Sequence, residues 1–205
     1  MIKSSTKLLL TSLFASLILS GCNKYEEALK VLPNEIAQAD QCISSNKEFE
    51  SDCYDLISYK NSIALLRLGI KDFGKGNYKE AIAQYTLAKQ RGNLYANALL
   101  SDAYFSGKGV PVNAKMGLEL LEDVDNADPI AAYKLSFYYL NKKDYSKTVK
   151  LLEFAATNNV KKAQLKLAEI YRDGKITKAN PQRSQELFKA YENKTNSFIS
   201  KIYGL

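Results

Sequence analysis

The chain has 205 residues and a net charge of +7, from 29 lysines and arginines against 22 aspartates and glutamates. It has no histidine, which excludes Ser-His-Asp and Cys-His catalysis and histidine-ligated metal sites. An apolar share of 46% without low-complexity tracts or long charge blocks excludes a disordered chain and leaves enough residues for one domain with a real core.

The N-terminus reads as a processing segment. Lys3 and Lys7 form a short basic region, and Leu8 to Leu19 is broken only by Thr11, Ser12 and Ser16. Such a run suits the apolar region of a signal peptide better than a spanning helix, which needs about 20 apolar residues. It ends in Leu19-Ser20-Gly21-Cys22. This resembles the lipobox of bacterial lipoproteins. The resemblance implies cleavage before Cys22, acylation of its sulfur and new amino group, and a membrane anchor held by several acyl chains. Asn23 stands where an aspartate often signals inner-membrane retention, so the expected location is the periplasmic side of the outer membrane. Residues 1–21 are then a signal peptide. Residues 22–33, ending at Pro33, are expected to be a tether in which Tyr25 to Leu32 could form a short helix.

Removal of residues 1–21 leaves 27 basic against 22 acidic residues, an excess read as mild and spread over a solvated surface. An exported chain does not meet chromosomal DNA, so no nucleic acid is expected as a partner. Residues 34–60 are expected to form a helical hairpin whose Ile36, Ala39, Cys42 and Ile43 pack on the helices that begin near residue 61. Cys42 and Cys53 form an even pair eleven positions apart, in an oxidising compartment. A structural disulfide is the expected state and free thiols the alternative. A redox pair would sit closer together, as in Cys-x-x-Cys.

Residues 61–192 are repetitive. Ala64, Ala96, Ala131 and Ala163 are spaced by 32, 35 and 32 positions, close to the period of helix-turn-helix solenoids. Each is followed at i+4 by Leu68, Leu100, Leu135 or Leu167, and in the last three units at i+8 by Tyr104, Tyr139 or Tyr171, one stripe of an amphipathic helix. The second helices begin after Gly76-Asn77 and Lys143-Asp144 in units one and three. Longer turns, Gly107 to Asn113 and Gly174 to Asn180, precede them in units two and four. Asn113 and Asn180 stand at N-cap positions, and Pro181 and Pro129 at first helical positions. Units one and three resemble tetratricopeptide repeats. Tyr104-Phe-Ser-Gly107-Lys-Gly109-Val110 resembles the mark of a Sel1-like repeat, degraded in unit four, where Ile176 replaces the second glycine. Tryptophan, the usual aromatic of the second helices, is absent. The expected fold is an all-α, right-handed solenoid of about four repeats. Residues 193–205 are expected to be a C-terminal capping helix, with Phe198, Ile199, Ile202, Tyr203 and Leu205 as its apolar stripe.

No catalytic constellation stands out. Gly74-Lys75-Gly76 and Gly107-Lys108-Gly109 belong to helix turns rather than to a phosphate-cradling loop. Glu26-Glu27 and Glu122-Asp123 sit on polar faces. The run Asp123 to Asp128 lacks the central glycine and closing glutamate of a calcium loop, and reads as the connection between units two and three. No cofactor and no metal are expected, and no enzyme. The resemblance to tetratricopeptide families implies a concave groove lined by the first helices. Matched position by position, it offers Ile70, Phe73, Tyr95, Asp102, Phe105, Tyr133, Phe137, Glu169 and Arg172, whose aromatics either bind a partner or pack between repeats. The expected function is a protein-binding scaffold in the cell envelope, with an envelope protein or effector as partner. An immunity lipoprotein neutralising a secreted toxin is the first alternative, and a carrier or enzyme for lipid or cell-wall polymer the second.

Overall fold

The structure is a computed structural model that describes residues 25–193 and 197–204. The expected lipidation at Cys22 and the signal peptide lie outside the described residues, as does Leu205. The described residues are helical, with no strand among them. The helices are α1 (Glu26–Asp40), α2 (Lys47–Ser58), α3 (Ser62–Lys75), α4 (Tyr78–Gln90), α5 (Ala96–Ser106), α6 (Ala114–Glu122), α7 (Pro129–Asn141), α8 (Tyr145–Thr157), α9 (Lys161–Asp173), α10 (Pro181–Glu192) and α11 (Phe198–Tyr203). The pairs α3–α4, α5–α6, α7–α8 and α9–α10 are the four repeats, each second helix packing on the first helix of the next. The chain is an α-solenoid of helix-turn-helix units.

Local chemistry sets the helix ends. The side chains of Asn61, Asn113, Asp144 and Asn180 each accept the backbone N–H three residues on, which satisfies an orphan donor of the first turn. Gly76, Gly107 and Gly174 close α3, α5 and α9 in the left-handed conformation. The stripe alanines Ala64, Ala96, Ala131 and Ala163 are fully buried, so the helices of each pair can approach closely. The tyrosines at i+8 do more than fill space. Tyr139 donates to Glu122 at 3.0 Å and Tyr171 to Glu153 at 2.9 Å, each tying a first helix to the second helix before it.

The two long turns are built alike. The N–H of Asn113 bonds the Tyr104 carbonyl, and that of Asn180 the Tyr171 carbonyl, both at 2.9 Å. Gly109 has φ +79, and a Cβ there would lie 2.6 Å from the Tyr78 carbonyl oxygen of α4. The second glycine of the motif therefore lets the turn lie against the previous repeat. Gly109→Ala meets both a left-handed backbone and a backbone oxygen, and is expected to cost about 2 kcal/mol. A thermal melt checks this, and an unchanged midpoint would contradict it.

The N-terminal segment corrects the expected tether. Residues 26–33 belong to α1, which continues through Pro33 to Asp40. An internal proline costs a helix about 3 kcal/mol, but Leu32, Ile36 and Ala39 are buried on one face, and their burial outweighs that loss. The Ser62 N–H and hydroxyl both donate to the Glu35 carboxylate, and Asn61 donates to the Glu35 carbonyl at 2.9 Å, which fixes α1 on α3. Cys42 and Cys53 are joined by a disulfide with a Cα separation of 5.5 Å, between the end of α1 and the middle of α2. Replacing both cysteines by serine is expected to cost about 2–3 kcal/mol, read as a lower denaturant midpoint.

The C-terminal helix also departs from expectation. α11 does not cap the last repeat. It returns to the first and packs on α3. The outer face of α10 is left to solvent and is polar, with Gln182, Gln185, Glu186 and Lys189 exposed or partly exposed. A polar outer face is how a terminal repeat can end a solenoid without a separate cap.

Candidate groove on the first helices

The residues expected to line a groove lie on or beside the first helices α3, α5, α7 and α9. Equivalent positions on these helices have different burial. Two residues after the stripe alanines, Leu66 of α3 and Ala98 of α5 are buried, whereas Tyr133 of α7 and Leu165 of α9 are partly exposed. One residue before them, Ile63, Tyr95 and Ile130 are buried and only Lys162 is exposed. The first unit is covered by the ends of the chain: α1, α2 and α11 all pack on α3, and α11 also meets Tyr95 of the second unit.

Arg67 holds α11 there. Its side chain is fully buried, and its guanidinium donates to the Lys201 carbonyl at 2.9 Å, the Ile202 carbonyl at 3.3 Å and the Asp40 carboxylate at 2.7 Å. Gly204, at φ +69, packs against the same guanidinium. The Tyr203 hydroxyl donates to the Tyr95 carbonyl at 3.3 Å, and the Phe198 ring meets the Tyr95 ring edge-on at 5.4 Å. Burial pushes the Tyr203 hydroxyl well above its ordinary pKa and the Tyr95 hydroxyl up to about 12, so both stay neutral. A second charge is buried at the N-terminal end, where Glu50 pairs with Lys47 at 2.9 Å and Lys71 at 3.1 Å. Burial raises its pKa, but hydrogen bonds and charge from the two lysines outweigh that and hold it below the usual carboxylate value.

The expected groove residues therefore divide. Tyr95 is not a free anchor, because α11 covers it. Phe73 packs between helices, 4.9 Å from the Tyr78 ring and 6.5 Å from Tyr85, with the Lys108 ammonium 5.6 Å above it. Ile70 is half-buried against the core. Phe105 is exposed on one side and rests on α6 at Gly117 with the other. Asp102 is ion-paired with Lys134 at 2.5 Å, across α5 and α7. Tyr133 and Phe137 form an edge-to-face pair at 5.1 Å and remain partly exposed. Glu169 lies 3.8 Å from Lys166, and Arg172 bonds Asp173 at 3.0 Å, on the exposed side of α9.

The open half of the face is thus aromatic along α7 and charged along α9. Sequence reasoning missed Arg67 and the role of α11. The one signal was a single cation inside the apolar run Ile63-Ala-Leu-Leu-Arg67-Leu-Gly-Ile70, where an unpaired charge would be costly. Among the described residues no group of three or more His, Cys, Asp or Glu side chains could hold a metal ion. No described helix is long and apolar enough to cross a membrane.

Three segments match the Sel1 repeat, residues 94–122, 129–160 and 161–190, which correspond to α5–α6, α7–α8 and α9–α10. No curated protein matches the sequence. Among solved structures, a Sel1 repeat protein from Oxalobacter formigenes aligns with a TM-score of 0.69 at 21% identity, over 81% of this chain and 71% of that one. A protective antigen of uropathogenic Escherichia coli that displays an SLR fold aligns with a TM-score of 0.58 at 19% identity, over 82% of this chain. This chain spans 39% of that antigen's length. At such identities the likeness is one of fold. Residues 94–190 are a run of three Sel1 repeats, set within a longer helix-turn-helix α-solenoid.

Proposed function

We propose that the protein is a lipid-anchored scaffold on the periplasmic side of a membrane, and that it holds a segment of an envelope protein in the open half of its inner face. The observation that carries this reading is the Tyr133–Phe137 pair. Tyr133 stays partly exposed at a repeat position where Leu66 and Ala98 of the preceding units are buried, and Phe137 beside it is exposed, as Asp102 is at its position in the unit before. Aromatic side chains next to arginine are the common anchors of protein interfaces. Sel1 repeats supply an interaction surface and indicate no catalytic chemistry. The anchor rests on the lipobox at Leu19 to Cys22. With α1 starting at Glu26, only a short connection separates that cysteine from the folded domain, so the solenoid would ride close to the bilayer.

The test is a crosslinking pull-down of the tagged full chain from whole cells, compared with the Tyr133→Ala/Phe137→Ala variant. One or more envelope proteins that are recovered with the natural chain and lost with the variant are the expected result. Equal recovery with both would remove the groove from the reading. A chain that stays in the aqueous phase on detergent partitioning, or whose partitioning is unaffected by Cys22→Ser, would remove the anchor.

A further inference from the structure

The charge of this chain is not spread evenly. Residues 142–205 hold 14 lysines and arginines against 6 acids, whereas residues 22–141 hold 13 against 16. The acidic part of the chain carries Leu56, the most exposed of the large apolar side chains among the described residues. On α2, Phe49 is 58% exposed, Leu56 74% and the adjoining Tyr59 67%. Leu56 and Tyr59 lie about seven and ten positions beyond Phe49 along one helix, so the three share a face. Glu48, Asp52 and Asp55 are exposed beside them and make no ion pair among the described residues. Tyr54 of α2 is buried and Cys53 belongs to the disulfide, and none of the described residues covers Phe49, Leu56 or Tyr59.

The first helices of units three and four have the complementary chemistry. The open half of the groove presents Tyr133 and Phe137 on α7. On α9 it presents Lys162, unpaired among the described residues, with Lys166 and Arg172, whose pairing with Glu169 and Asp173 still leaves that helix with four cations against two carboxylates. We propose that α2 of one copy docks into the open half of the groove of a second copy. The size agrees. α2 has twelve residues and so a length of about 18 Å, enough to cross two first helices packed about 10 Å apart. Apolar rings meet apolar rings, and the three carboxylates of α2 face the α9 cations. Opposite charge on the two surfaces steers them together and sets their register. The two surfaces lie on different parts of the chain, so the contact is heterologous. It leaves a free groove at one end and a free α2 at the other, and copies add head to groove. The inference rests on the proposed groove and makes α2 the first ligand of that groove, with an envelope partner as its competitor.

The experiment uses the full chain in cells, with a photoreactive amino acid at position 56. The expected product is a crosslinked species of twice the chain's mass whose second peptide maps within residues 133–172. Asp52→Lys/Asp55→Lys should abolish it, and so should Lys162→Glu/Lys166→Glu. All four positions carry solvent-facing charges, and a disulfide-bonded, protease-resistant product confirms folding of each variant. Co-expression of the two variants with different tags should restore a mixed dimer, because α2 of the second and the groove of the first are unaltered. A crosslink from position 56 to a different protein, or no crosslink at all, overturns the inference. In either case, if the pull-down still loses its envelope partner in the Tyr133→Ala/Phe137→Ala variant, the groove reading survives without self-association.

Discussion

Arg67→Met is expected to lower the stability of the protein by about 3–5 kcal/mol and to release α11 from the inner face. The guanidinium joins α3 to α1 through Asp40 and to the last helix through two backbone carbonyls. Methionine fills much of the same volume but offers no donor. The Lys201 and Ile202 carbonyls would remain where water reaches them poorly, and unpaired buried acceptors cost about 1–3 kcal/mol each. Breaking a buried ion pair by removing one partner typically costs about 3–5 kcal/mol, and the half-exposed Asp40 can recover part of that by hydration. For a chain of this size the thermal midpoint should fall by about 10 °C. Hydrogen exchange locates the effect. Amides of α11 should lose protection first, together with those around Tyr95, while α7 to α10 keep theirs. A variant that melts early with uniform loss of protection would mean that α11 is part of the global core and is not held chiefly by Arg67.

Asp128→Asn is expected to stabilise the protein at neutral and alkaline pH and to leave it unchanged under acidic conditions. Asp128 is the N-cap of α7, is fully buried, and accepts the Ile130 N–H at 2.8 Å through one oxygen, while its other oxygen has no hydrogen-bond partner. Burial pushes its carboxyl up to about 7, against lowering by the Ile130 and Ala131 N–H groups and by Lys134. The folded-state value lies above the unfolded one, so the folded chain binds a proton that the unfolded chain has already lost. Stability from this group is complete below about 4, declines as pH rises, and is lost once pH passes about 7. Asparagine keeps the capping oxygen and cannot ionise. At pH 8 the variant should gain about 2–4 kcal/mol, the order expected when a carboxyl pushed up to about 7 must be held ionised in the folded chain, while near pH 4 the two chains should melt together. Parallel stability curves between pH 4 and 8 would show that Asp128 is not carrying a buried charge.

Legibility in the sequence depends on how local the cause of each feature is. The repeat period, the stripe of Ala, Leu and Tyr, the N-caps at Asn113 and Asn180 and the left-handed glycines at 107 and 174 are set by residues within a few positions of one another. They could be read as spacing, and the α-solenoid came with them. Cys42 and Cys53 could be paired because few cysteines were left to choose from. The groove was legible only in outline. A one-dimensional pattern places Tyr95 and Tyr133 on the same inner face, and it cannot show that one is covered and the other open.

That difference was decided by tertiary structure. α11 looks from its sequence like any apolar cap, and nothing in residues 198–203 says which repeat it meets. The choice is made by a buried cation more than 130 positions earlier, which needs carbonyls and finds them on the returning chain. The same holds for α1. Pro33 argues locally for an end to the helix, and the burial of Leu32, Ile36 and Ala39 against α3 overrides it. By itself the sequence determined the repeats, their turns and the chemistry they lack. The tertiary structure decided which surface those repeats leave free, because burial of a face depends on what the far ends of the chain bring back to it.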